Sequence, residues 1–77
     1  RLSGADFSGA NLTAASLEAV MAPKARFVGT RLVGSNLMEA KFYNADFAEA
    51  VMEGNSAPFA IWEGVHMENC TGCPVDW

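Results

Sequence analysis

Few residues in this chain could do chemistry. There is a Cys70-Thr71-Gly72-Cys73 motif, a single histidine at His66, and a scatter of charged groups that includes Asp6, Glu18, Arg26, Glu39 and Asp46. A C-x-x-C pair can serve as a redox centre or as half of a zinc site. Zinc needs four ligands, and His66 is the sole imidazole. A redox C-x-x-C usually opens a helix that lowers its thiol pKa, whereas Gly72 and Pro74 read as a turn. The favoured reading is a Cys70 packed inward like alanine and a Cys73 on the surface, either as free thiols or as a disulfide capping the fold. His66 has no nucleophile and orienting acid with which to form a catalytic set. The expectation is therefore a protein with no enzymatic activity, no cofactor and no metal.

The elements that would position these residues are written in a period of five. The stretch Ala5-Asp6-Phe7-Ser8-Gly9-Ala10-Asn11-Leu12-Thr13-Ala14-Ala15-Ser16-Leu17-Glu18-Ala19 repeats one pattern three times: small, polar, large apolar, then two small or polar residues. The pattern returns at Ser35-Asn36-Leu37, Ala40-Lys41-Phe42 and Ala45-Asp46-Phe47. Taking the large residue as the centre of each unit, thirteen of the sixteen centres from Leu2 to Trp77 are large and apolar, where chance placement would fill about five. Only Ala22, Ala57 and Gly72 depart from the rule. A period of five fits neither a helix nor a simple strand. On a helix the centres would march around every side. It suits a coil that turns a corner every five residues, with the small residue and the centre, two apart, both facing inward.

The units Ala5-Asp6-Phe7, Ala10-Asn11-Leu12 and Ala45-Asp46-Phe47 resemble those of the pentapeptide-repeat family, and the likeness runs the length of the chain. The resemblance implies an all-β fold: a right-handed quadrilateral parallel β-helix, or solenoid, of just under four coils. Residues twenty apart would stack. The centres then form four columns: Leu2, Ala22, Phe42 and Trp62 on the first wall; Phe7, Phe27, Phe47 and Met67 on the second; Leu12, Leu32, Met52 and Gly72 on the third; and Leu17, Leu37, Ala57 and Trp77 on the fourth. Four coils at a strand spacing of about 4.8 Å would make a rod of roughly 19 Å. Pro23 and Pro58, which cannot donate to a ladder, are expected at corners or small outward loops. Phe59 is expected either to fold over the thin core beside Ala57 or to mark a local shift of register.

The bulk properties agree with a small interaction module. The chain has 77 residues, 51% hydrophobic and 18% charged, which is one domain (1–77) and too apolar for disorder. No apolar run approaches the roughly 18 residues of a membrane span. Arg1-Leu2-Ser3-Gly4 already belongs to the repeat, so the chain reads as a segment of a longer or processed protein. A net charge of −4 argues against direct nucleic-acid binding, which wants a basic face.

Summed by wall, the charge is +2, −3, 0 and −3. The second wall carries an alternating ladder, Asp6, Arg26, Asp46 and His66, and the fourth carries Glu18 and Glu39. These are the candidate partner-facing residues, although a plain surface ladder accounts for them as well. The expected role is a scaffold or assembly factor that presents flat walls to another protein or multi-subunit complex. The resemblance also implies an alternative, an acidic DNA mimic that binds DNA gyrase. It points to a subunit of a photosynthetic complex in the chloroplast thylakoid lumen, with the cytoplasm as the other compartment.

Overall fold

A computed structural model describes residues 2–73. Among the described residues the backbone forms no long strand and no helix; it forms isolated parallel bridges. Their spacing sets the architecture. Asp6 pairs with Arg26, Asn11 with Arg31, Ser16 with Asn36 and Met21 with Lys41, and the series continues to Val51 with Thr71. A bridge falls every fifth residue and its partner lies twenty residues on. Four short edges therefore make one circuit, and successive circuits lie directly over one another. The block measures 23 × 22 × 21 Å, as wide as it is tall, where the sequence suggested a rod.

The reason for the period lies in where the five backbone N–H groups of each unit go. The unit around Phe27 illustrates it. Arg26 N–H donates back one circuit to Ala5 C=O at 2.8 Å, and Phe27 N–H donates forward to Asp46 C=O at 2.7 Å. Gly29 N–H donates forward to Ala48 C=O at 2.9 Å, and Thr30 N–H closes a turn onto Phe27 C=O at 3.1 Å. That leaves the residue just after the centre without a backbone acceptor. Where an Asp or Asn precedes the centre, its side chain takes up that group: Ser8 N–H donates to Asp6 Oδ1, Thr13 N–H to Asn11 Oδ1, Met38 N–H to Asn36 Oδ1 and Ala48 N–H to Asp46 Oδ1, at 2.9–3.1 Å. The polar residue of the repeat is thus an Asx turn first.

Each corner places the residue two after the centre in the left-handed region. Among the described residues eight of these are not glycine: Ala14, Ala19, Lys24, Glu39, Asn44, Glu49, Phe59 and Asn69, with φ between 56° and 63°. Outside Gly and Asn this conformation costs about 1–2 kcal/mol per residue. Pro23 and Pro58 occupy the first turn position, where a φ locked near −65° is already right. They sit in turns closed by Ala25 N–H to Ala22 C=O and Ala60 N–H to Ala57 C=O, both 3.3 Å. The corner reading of the two prolines holds.

Inside, the columns stack as the twenty-residue spacing requires. Phe7, Phe27 and Phe47 form one ladder, with ring centroids 5.2 and 4.8 Å apart and planes within 11° and 3° of parallel. Phe42 stacks with Trp62 at 4.9 Å and meets Phe27 and Phe47 edge-on at 5.6 and 5.2 Å. Both geometries suit aromatic quadrupoles, at about 0.5–1.5 kcal/mol per pair beyond burial. The small inward positions Ala25, Ala40, Ala45 and Ala50 are wholly buried, as are Leu32 and Leu37. Two buried positions are polar and satisfied: Thr30 Oγ1 donates to Phe7 C=O and Ser35 Oγ to Leu12 C=O, each at 2.7 Å.

Candidate functional site

The second-wall ladder is assembled as expected. Parallel bridges join Asp6 to Arg26, Arg26 to Asp46 and Asp46 to His66 in one column. Its chemistry is modest. Arg26 Nη1 lies 4.0 Å from Asp6 Oδ2 with the two side chains 56% and 58% exposed, a solvated pair that adds little to stability. The Ser8 hydroxyl and backbone N–H hold the Asp6 carboxyl below its ordinary range, and Arg26 adds a smaller pull. Asp6 and Asp46 each have one oxygen engaged in an Asx turn, so a partner would meet the remaining oxygen.

On the fourth wall Glu18 accepts a bond from Asn36 Nδ2 at 3.3 Å. Glu39 is exposed at a left-handed corner, and its N–H donates to Pro58 C=O at 2.9 Å. That bond stacks the Pro58-Phe59 turn over the Met38-Glu39 turn. Phe59 neither folds over the core nor shifts the register. It occupies the regular left-handed corner position at φ 63° and is 82% exposed. The reason is geometric: corner residues point outward whatever their hydrophobicity. The signal was present in the sequence, since Phe59 falls two residues after the centre Ala57.

The end of the described chain departs from the repeat at Gly72. Thr71 still bonds in register, its N–H to Ala50 C=O at 2.9 Å. Gly72 then takes φ 72°, and a Cβ there would lie 2.8 Å from the Met52 carbonyl oxygen, so only glycine fits. This reversal brings Cys73 back toward Cys70, their Cα atoms 5.8 Å apart and within disulfide reach.

Next to it a cavity of about 110 Å³ is lined by Leu37, Met52, Asn55, Ala57, Trp62 and the Gly54 and Gly72 backbones. Asn55 Oδ1 accepts the Ser35 N–H at 2.8 Å, replacing the turn bond of that corner, while Asn55 Nδ2 is buried with no acceptor among the described residues. The period of five places Asn55 at an inward position two residues before the centre Ala57 and gives no sign of this bond. The expected Trp77 centre lies outside the described residues. No group of three or more His, Cys, Asp or Glu side chains that could hold a metal ion occurs among the described residues, and no helix there is long and apolar enough to cross a membrane.

With the coil geometry in hand, comparison with known proteins decides the family. The model of pentapeptide repeats matches residues 1–20 and 24–54, in 8 copies. The chain belongs to the pentapeptide-repeat family. Proteins of this family fold as right-handed β-helices and are generally non-catalytic structural modules, and the bridges of this pentapeptide-repeat chain are those of such a helix. Among solved structures it is similar to a pentapeptide repeat protein from the thylakoid lumen of Arabidopsis thaliana, at 24% identity and a TM-score of 0.42. That alignment covers 77% of this chain and 59% of the other, so the chain spans little more than half the length of that protein. None of the curated proteins matches this chain.

Proposed function

We propose that this pentapeptide-repeat chain is a single, non-catalytic interaction module of just under four coils, a scaffold or assembly factor within a larger, photosynthetic complex. The observation that carries this reading is the way the backbone is used. Core side chains occupy most of the space between the walls, and the backbone bonds run from circuit to circuit. What remains for function is the outer surface, a set of flat walls with fixed spacing. Asp6, Arg26, Asp46 and His66 on the second wall, with Glu18 and Glu39 on the fourth, are the partner-facing groups in this reading. A pull-down with the full chain tests it: a stoichiometric partner whose binding weakens in a combined Asp46→Asn, Glu39→Gln variant supports it. Loss of no partner on that change would sink the assignment of these residues.

The gyrase-mimic alternative rests on the two acidic walls. A block of 23 × 22 × 21 Å spans only about six base pairs at ~3.4 Å each, too few for much mimicry. A supercoiling assay is expected to show no inhibition.

Cys70 and Cys73 complete the reading as a disulfide that ties off the last described edge. Such a bond persists in an oxidising compartment, which favours the thylakoid lumen over the cytoplasm. Thiol titration of the purified chain checks this: no free thiol without reductant and two with it is the expected result, and two free thiols throughout would remove the cap.

A further inference from the structure

The repeat breaks its own rule at three positions that meet in one place. Of the sixteen centres, only Ala22, Ala57 and Gly72 are not large, and Ala57 and Gly72 both line the cavity of about 110 Å³ beside the last described edge. Their columns explain the void. Ala57 follows Leu17 and Leu37 on the fourth wall, and Gly72 follows Leu12, Leu32 and Met52 on the third, so two large side chains are missing from adjacent walls. Gly72 cannot regain one, because a Cβ there would meet the Met52 carbonyl oxygen at 2.8 Å. Asn55 is the third departure. The inward hydroxyls of Thr30 and Ser35 each donate to a carbonyl of the first circuit. Asn55 lines the cavity with only its oxygen engaged, on the Ser35 N–H; its Nδ2 is buried without an acceptor among the described residues. A buried amide N–H left unpaired destabilises the fold, and a ligand that offers an acceptor removes that penalty.

The lining selects the ligand. Leu37, Met52, Ala57 and Trp62 make an apolar wall that suits a hydrocarbon body, with the Asn55 amide as the group that orients it. The amide donates, so the ligand must accept, which an ammonium cannot do. Glu53 packs beside Gly72, its Cγ 2.9 Å from where a Gly72 Cβ would lie, and the chain has a net charge of −4; both disfavour a carboxylate. Size sets the last limit. An apolar cavity of ~150 Å³ takes up benzene, so this one suits a molecule of about four to six heavy atoms.

We propose that this cavity is a binding site for a small neutral ketone, ester or ether, its hydrocarbon part against Leu37, Met52 and Trp62 and its oxygen accepting from Asn55 Nδ2. The inference does not depend on the interaction-module reading and adds a ligand site to it. Titration of the isotope-labelled full chain with cyclopentanone, and separately with cyclopentane, followed by nuclear magnetic resonance, tests it. Cyclopentanone is expected to shift the Asn55 side-chain amide signal. Its affinity should fall about tenfold in Asn55→Asp, which keeps the acceptor for Ser35 and removes the donor, while the affinity for cyclopentane falls less. Ala57→Leu restores the large residue of the fourth-wall column; it should melt no lower than the parent and bind neither probe. If it fails to fold, Ala57→Val takes its place. Absence of a shift at Asn55, an equal loss of both probes in Asn55→Asp, or binding that persists in the filled variant overturns the inference. So do Overhauser contacts from the Asn55 amide to another part of the chain in the unliganded protein, which would mean that the chain fills the cavity itself.

Discussion

Ala14 sits at φ 60° with its Cβ carried into a region that L-residues avoid. The chain tolerates this because the Ala14 N–H must reach Val33 C=O, at 2.8 Å, to hold the coils together. Ala14→Gly relieves the strain and forfeits some chain entropy. It should stabilise the fold by up to ~1 kcal/mol, read from urea or thermal unfolding.

Asp6 makes a different residue-scale case. Ser8 holds its carboxyl low in the folded state. A carboxyl with a depressed folded pKa contributes stability that is fully present above its unfolded value, near 3.8. That contribution is lost as pH falls through the lower folded value. The melting temperature should therefore drop in acid below about pH 4, and Asp6→Asn should flatten that part of the profile while keeping the Asx turn. An unchanged profile in Asp6→Asn would show that Asp6 is not the group responsible.

At the scale of the element, the turn and the circuit above it hold one another. Ser35 is 2% exposed and its N–H has Asn55 Oδ1 as acceptor. Asn55→Ala strips that acceptor from a buried donor and should cost about 1–3 kcal/mol. Asn55→Asp, which keeps an acceptor oxygen, should retain the Ser35 bond, and amide exchange at Ser35 would report it. A second contact between circuits is Asn44 beneath Gly64. A Cβ at Gly64 would run into the Asn44 side-chain oxygen, and the φ of 73° adds strain of its own. Gly64→Ala should destabilise by about 1–2 kcal/mol from the backbone alone, with the collision added to it. Adding Asn44→Gly should recover the part due to collision and leave the backbone part, a non-additivity that a double-mutant cycle measures.

For the whole molecule, stability sums circuit by circuit, because each coil touches only its neighbours. Burial grades accordingly: Phe27 and Phe47 are fully buried, whereas Phe7 and Met67 at the two ends are half-buried. Phe27→Ala should cost about 3–5 kcal/mol and Phe7→Ala distinctly less, compared by denaturant midpoint. Equal costs would mean that the first circuit is as well covered as the second. The same layering gives the molecule its outer character, two acidic walls with Phe59 exposed at the corner of the fourth.

The period of five was enough to place residues on columns. Phe7, Phe27 and Phe47 on one wall, alanines facing inward beside them, and Asp6, Arg26, Asp46 and His66 in one row all follow from counting, because stacking at a fixed interval is a local rule repeated. Counting could not say what each side chain does once stacked. Asp6 and Asp46 serve their own turns, Asn55 serves Ser35 a full circuit away, Gly72 reverses the chain so that Cys73 meets Cys70, and Phe59 is left in solvent. Those outcomes depend on distances between atoms twenty residues apart and on the sign of φ at the corners, and only the folded coil sets them.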